Sequence, residues 1–296
     1  MKIRAILLDT ARELLYRRTL LFYFGVVTLT HLILLLALQT DVANGVISSV
    51  RVFGLEGHPQ SSGFALDNRQ AAGALGLDAE RLVTMVQFVI ACFLYPTGIL
   101  LSLFATASLV PHMLEKGTID LLLSKPISRP TLLFARYLGA LLIAGANLVY
   151  LVGGVGTILA FKTGVWNWGF LLSGLLMTAY FGSILAFMVL LGVVFRSTTI
   201  GMMMTAIIYV VGAMVRLAHD YADWPMLITS PVARFLTRAT VEVLYHVLPR
   251  TYAVGQMATS LILHRPIDSW MPVLATLGSG AAALGAAIVL FRRIDF

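Results

Sequence analysis

Residues 169–195 read GFLLSGLLMTAYFGSILAFMVLLGVVF, without a single charged side chain. As a helix such a run is about 40 Å long, more than the roughly 30 Å of a bilayer's hydrocarbon core. Five further stretches are apolar enough to span: Leu20–Leu38, Met85–Val110, Leu138–Phe161, Ile200–Leu217 and Val273–Phe291. Of the 296 residues, 59% are hydrophobic and only 12% charged, with mean hydropathy +0.89. A soluble domain carries about a quarter charged residues, and one core could not hide so much apolar surface. The expected fold is therefore an all-α integral membrane protein, a single transmembrane domain over 1–296 with spans at 20–38, 85–110, 138–161, 169–195, 200–217 and 273–291.

The fourth and fifth runs are parted only by Arg196-Ser197-Thr198-Thr199, which predicts a tight helical hairpin. A long charged segment precedes the first run, and no small-x-small cleavage site follows it, so it reads as an uncleaved span rather than a signal peptide. In 1–18, Ile3, Leu7, Leu8, Ala11, Leu14 and Leu15 fall on one helical face opposite a mainly basic side, the pattern of an interfacial helix. Segments 39–84 and 218–272 are expected outside the membrane as external loops. The second holds an amphipathic helix that Ser230 and Pro231 start, with Val232, Phe235, Leu236, Ala239, Val243 and Val247 as its apolar stripe. That stripe is expected to face lipid or the span ends.

Orientation follows from Lys and Arg. With the N-terminus inside, twelve of the 21 lie in the short inner pieces and nine in the far longer outer ones. The higher inner density predicts that both termini are cytosolic. Such a chain belongs in the cell (cytoplasmic or inner) membrane.

Several chemistries lack their residues. No G-x-x-x-x-G-K-[ST] occurs, so no ATP phosphates are expected to bind here. The six histidines show no His-x-x-x-His spacing, and the only cysteine, Cys92, sits in an apolar run, so no metal site or disulfide is expected. The net charge of +7 has no basic, aromatic-interleaved stretch to suit nucleic acid. The polar residues inside the spans, His31, Gln87 and Asn147, suit hydrogen bonds between helices. His219-Asp220-Tyr221-Ala222-Asp223 reads either as acid–base machinery or as a solvated loop, and Gly278-Ser279-Gly280 as a close helix-packing face. No catalytic constellation emerges.

One inner segment stands out: Glu115-Lys116-Gly117-Thr118-Ile119-Asp120-Leu121-Leu122-Leu123-Ser124-Lys125-Pro126-Ile127-Ser128-Arg129. Thr118 is a fitting cap, Leu121, Leu122 and Leu123 make an apolar trio, and Pro126 stops the turn. Two readings stand: a short helix offering a leucine knob to a soluble partner, or a turn buried in the chain's own bundle.

This segment, with Leu132-Leu133-Phe134-Ala135-Arg136-Tyr137-Leu138-Gly139 after it, resembles the ABC type-2 transporter permeases. It is closest to the branch that includes the permease of the nitrous-oxide-reductase copper-site maturation system. The resemblance implies a cytosolic coupling helix between spans 2 and 3, made by Glu115, Gly117, Thr118, Leu121, Leu122, Leu123, Lys125, Pro126, Ser128 and Arg129. It also implies an N-terminal interfacial helix and short external helices before span 6, where Leu248-Pro249 is similar too. Pro111-His112-Met113-Leu114 departs from relatives, which often carry a more charged Arg/Glu stretch there.

The function so implied is the permease subunit of an ATP-driven exporter or extractor, not catalytic itself. Two copies of an ABC ATPase subunit would hold the ATP and Mg, beside a second permease copy or a related permease, with an extracytoplasmic accessory protein as a further partner. The reading that competes with it is an ATP-independent carrier or a membrane scaffold. Apolar spans fit lipid-like or amphipathic cargo, whereas the resembling branch implies material for metal-site assembly.

Overall fold

The computed structural model describes residues 18–43, 46–52, 55–56, 79–107, 128–220 and 231–293. Among them are eight helices: α1 (Arg18–Ala37), α2 (Ala79–Thr106), α3 (Arg129–Thr163), α4 (Trp168–Phe195), α5 (Thr198–Asp220), α6 (Pro231–Val247), α7 (Thr251–Ile262) and α8 (Met271–Arg293). Five of these, α2, α3, α4, α5 and α8, are long and apolar enough to cross a membrane, and α1 is apolar over Leu21–Leu36. The membrane body is all-α, as its composition predicts. The segment 1–17 expected at the interface lies outside the described residues.

A small sheet follows α1, where the sequence reading had only a loop. Strands β1 (Leu38–Ala43), β2 (Val46–Val52) and β3 (Leu55–Glu56) pair antiparallel in that order. Ala43 opposes Val46 and Leu38 opposes Val52.

The uncharged run that opened the reading, α4, is the central post. It packs against α3, α5, α7 and α8. Asn167 starts it by accepting from the Phe170 N–H, and it ends at Arg196 in a left-handed turn whose N–H donates to the Gly192 carbonyl. That turn is the hairpin expected at Arg196–Thr199. Gly164, also left-handed at φ 74°, closes α3, and glycine adopts this conformation without a Cβ penalty. The bundle therefore has an Arg196 end, where α4 meets α5, and a Gly164 end, where α3 meets α4.

Small residues allow close approach where lipid supplies no hydrophobic drive between helices. On α8, Gly280, Ala283 and Ala287 are buried, and a Cβ at Gly280 would lie 2.7 Å from Ser183 Cα. On α3, Gly154 makes room for the His31 ring, whose Nε2 bonds the Leu151 carbonyl at 3.1 Å.

Candidate functional site

Two places in the bundle are built for something beyond spanning. The first is the start of α3. Ser128 caps this helix, its hydroxyl accepting from the Thr131 N–H, and Pro130 occupies the first turn, where a missing N–H costs nothing. The helix begins nine residues before the expected span start at Leu138, so about 14 Å of rigid rod leads into the span. Leu132, Leu133 and Ala135 on that rod pack with Val189 and Val193 of α4 and Ala287 and Phe291 of α8. Three helices are thus joined by one dry cluster at the Arg196 end.

Of the residues expected to couple, Glu115, Gly117, Thr118, Leu121, Leu122, Leu123, Lys125 and Pro126 lie outside the described residues. Ser128 and Arg129 are described, and they form the joint between that segment and α3.

The second place lies around α7. Segment 218–272, expected as an external loop, holds two helices, and the second packs into the bundle. Ala253, Val254, Met257, Ala258 and Ile262 of α7 are buried, and the helix contacts α4, α5 and α2. Its first residue, Thr251, receives the Tyr180 hydroxyl at 2.6 Å and lies 3.4 Å from the Tyr209 carbonyl. Tyr180 and Tyr209 stand near the middles of α4 and α5, so the chain turns back at mid-bundle depth. The turn is Pro249-Arg250, part of the Leu248-Pro249 pair noted in the sequence. Gly212 of α5 makes way for it, since a Cβ there would sit 2.7 Å from the Pro249 carbonyl oxygen. The Arg250 N–H donates to Thr276 of α8, and its guanidinium lies 4.3 Å over the Tyr245 ring.

From this turn α7 runs to the Gly164 end. There Asn167 Nδ2 donates to Gln87 Oε1 at 2.8 Å and to the Ile262 carbonyl at 3.0 Å. One amide therefore ties α2, α4 and α7 together. Gln87 and His31 are the helix–helix hydrogen-bonding residues expected of them. Asn147, placed in the same group, finds no partner for either amide atom among the described residues.

Between α2, α4, α5 and α7 lies a cavity of about 390 Å³. Tyr95, Tyr180, Tyr209 and Tyr252 stand in its wall, with Cys92 and Pro96 of α2 on one side. The sequence reading singled out none of these tyrosines, because aromatic residues in apolar runs carry no periodic signature of a cavity.

Helix α6 matches its expected bounds. It meets the end of α5 through polar groups, with Glu242 Oε2 3.4 Å from His219 Nε2 and Tyr245 stacked on the His219 ring at 4.2 Å. Val232, Phe235, Leu236, Val243 and Val247 are exposed, so the apolar stripe turns away from the bundle. His219 is thereby accounted for as a packing residue. Among the described residues no three His, Cys, Asp or Glu side chains gather as a metal group.

In a search of curated proteins, none matches the chain. A family model does: the one described as ABC-2 family transporter protein matches residues 27–296, nearly the whole chain. With a helical bundle of this length and apolarity under that match, the chain belongs to the ABC-2 transporter family and is a multi-pass membrane permease of an ABC transporter.

Proposed function

We propose that this chain is the membrane half of an ATP-driven exporter or extractor, moved by a separate ATPase that grips Glu115–Arg129. ABC-2 permeases generally work with an ABC ATPase subunit. The observation that carries the proposal is the joint at Ser128. In sequence the leucine-bearing segment ends at Ser128, which caps a helix whose first turns are packed into α4 and α8. A push delivered at the Ser128 cap reaches the spans through this packing, and ATP closure switches them between two packed states. In this reading the Arg196 end is cytosolic, six helices span the cell membrane, and both termini are inside. Two permease chains and two ATPase subunits, which hold ATP and Mg, make the working unit.

The test is Leu122→Asp, with an ABC ATPase subunit that co-purifies with the wild-type permease as the co-expressed partner. Losing a leucine contact and burying an unpaired carboxylate cost about 3–5 kcal/mol, a factor of several hundred or more in affinity. Co-purified ATPase is expected to vanish while permease abundance holds. Full retention by Leu122→Asp, and by the same change at Leu121 and Leu123, would sink the proposal.

A further inference from the structure

The cavity beside α7 differs from a charged-ligand site in every wall. Among the described residues no Asp, Glu, Lys, Arg or His lines it. Its polar groups are tyrosine and threonine hydroxyls and one amide, Gln256. Several are fixed by neighbours: Tyr95 hydrogen-bonds Ser173 at 2.7 Å, Tyr180 donates to Thr251, and Gln256 Nε2 donates to the Tyr252 oxygen at 2.9 Å. Ala91, Ile99 and Met177 supply apolar wall. At about 390 Å³ the space is within the range of roughly 300–1,000 Å³ usual for small-molecule pockets. Gly255 opens onto it, since a Cβ added there meets nothing within 4 Å.

We propose that this cavity binds an uncharged amphipathic molecule. The apolar body lies against α2 and α4, and a hydroxyl, ether or carbonyl group sits among the tyrosines. An ionised ligand would be desolvated with no countercharge, at a cost of several kcal/mol, whereas a neutral polar group exchanges hydrogen bonds with hydroxyls already in place. That the occupant is transported cargo rests on the transport reading above. That it binds here does not.

Cys92 lines the cavity, is exposed and is the only cysteine, so one thiol reports on occupancy. The full chain in lipid nanodiscs is labelled with N-ethylmaleimide in the presence of three dodecyl probes: neutral monolauroylglycerol, anionic dodecyl sulfonate and cationic dodecyltrimethylammonium. By mass action, saturating neutral probe is expected to slow labelling about fivefold, and either ionic probe less than about twofold. Gly255→Phe, which fills the space, is expected to remove the neutral probe's effect. Gly278→Phe, equally unobstructed but on α8 away from the cavity, is expected to keep it. Equal protection by all three probes, protection that persists in Gly255→Phe, or a wild-type thiol that does not react would each overturn the site. The three probes on the wild-type chain decide the matter even where Gly255→Phe does not accumulate. No ATPase enters this assay, so its failure leaves the coupling proposal standing, and loss of coupling leaves the binding site standing.

Discussion

The two ends of the bundle solve opposite problems. At the Arg196 end, Leu132, Leu133, Val189, Val193, Ala287 and Phe291 close into a dry cluster. At the Gly164 end the helices are held by polar groups, with Asn167 at the centre and His264 Nδ1 4.0 Å from Glu80 Oε1 at the margin. Apolar packing is non-directional and depends on shape, and a packed cluster moves as a block. Hydrogen bonds can exchange partners as helices shift. On the proposed function, this contrast makes the Arg196 end a transmission and the Gly164 end a re-formable seal with a cavity behind it. Helix α4 belongs to both, with 61% of its apolar window buried, while α5 has only 22% buried. Most of α5 is thus left to face lipid or a second copy.

The largest effect is expected where the seal cannot yield. A Cβ at Gly169 would overlap the backbone carbonyl oxygen of Leu261, which no side-chain rotation relieves. Gly169→Val is expected to destabilise the purified protein by about 3 kcal/mol or more through this overpacking. It should also raise Cys92 labelling, because α7 is displaced from the cavity. Thermal unfolding and thiol labelling on one sample check both, and normal values for the pair would show that α7 does not seat against α4.

Phe291→Ala probes the other end. This ring is fully buried, and its removal leaves a void between α3, α4 and α8. Since lipid replaces part of the lost apolar contact, the packing loss is about 2–3 kcal/mol. Unlike Gly169→Val, this change is expected to leave Cys92 labelling as it was while weakening stimulation of the ATPase. If it alters the cavity as strongly as Gly169→Val, the two ends are not separate devices.

A somewhat smaller effect belongs to Asn167→Ala. It removes two interhelical hydrogen bonds worth roughly 0.6 kcal/mol each in a membrane protein, and an N-cap worth about 1 kcal/mol, so about 2 kcal/mol in all. Asn167→Ser keeps a neutral cap acceptor and loses the amide donor. It is expected to fall between Ala and wild type in thermal unfolding, and equality with Ala would assign the whole effect to the Gln87 and Ile262 contacts.

The legibility of the two ends in the sequence was unequal for physical reasons. Apolar length found six helices, five of them long and apolar enough to cross a membrane, and Arg196-Ser197-Thr198-Thr199 marked the α4–α5 turn. The helices outrun the expected spans by up to nine residues at α3, because the charges of Arg129 and Arg136 end the apolar run without ending the helix. Ser230-Pro231 marked the start of α6, whereas α7 was implied only by the resemblance, and its packing into the bundle stayed hidden. Thr251–Ile262 is too short to span, and its burial comes from tertiary contacts that only Gly169 and Gly212 permit. The strands after α1 had a signal that went unused: Asn44-Gly45 between β1 and the β-branched run Val46–Val52 is a two-residue hairpin sequence. The cavity had none, since it exists only where four helices fail to fill the space between them.

The smallest effect, and the one of opposite sign, concerns Asn147, near the midpoint of α3 between the two ends. Its side chain is 5% exposed, and neither its oxygen nor its nitrogen has a hydrogen-bond partner among the described residues. An unsatisfied buried amide costs about 1–3 kcal/mol, so replacing it by an apolar group of similar volume removes a penalty rather than a contact. The helical neighbours on its face, Ala144, Leu148 and Leu151, are buried and apolar, which suits a leucine. Asn147→Leu is therefore expected to stabilise the isolated chain by about 1 kcal/mol, less than the full penalty because leucine's branching strains the fit. His31 of α1, which bonds the carbonyl of Leu151 one turn along α3 from Asn147, serves as the contrast: His31→Leu loses a real hydrogen bond and is expected to destabilise. Thermal unfolding of the two variants in the same lipid gives the comparison. If Asn147→Leu stabilises the chain but lowers ATPase-driven turnover, the amide gains its partner in the other state of the bundle, and α3 rotates between the ends rather than sliding. If it destabilises the isolated chain as His31→Leu does, the amide is already bonded at rest and α3 is held at its middle as firmly as at the Arg196 end.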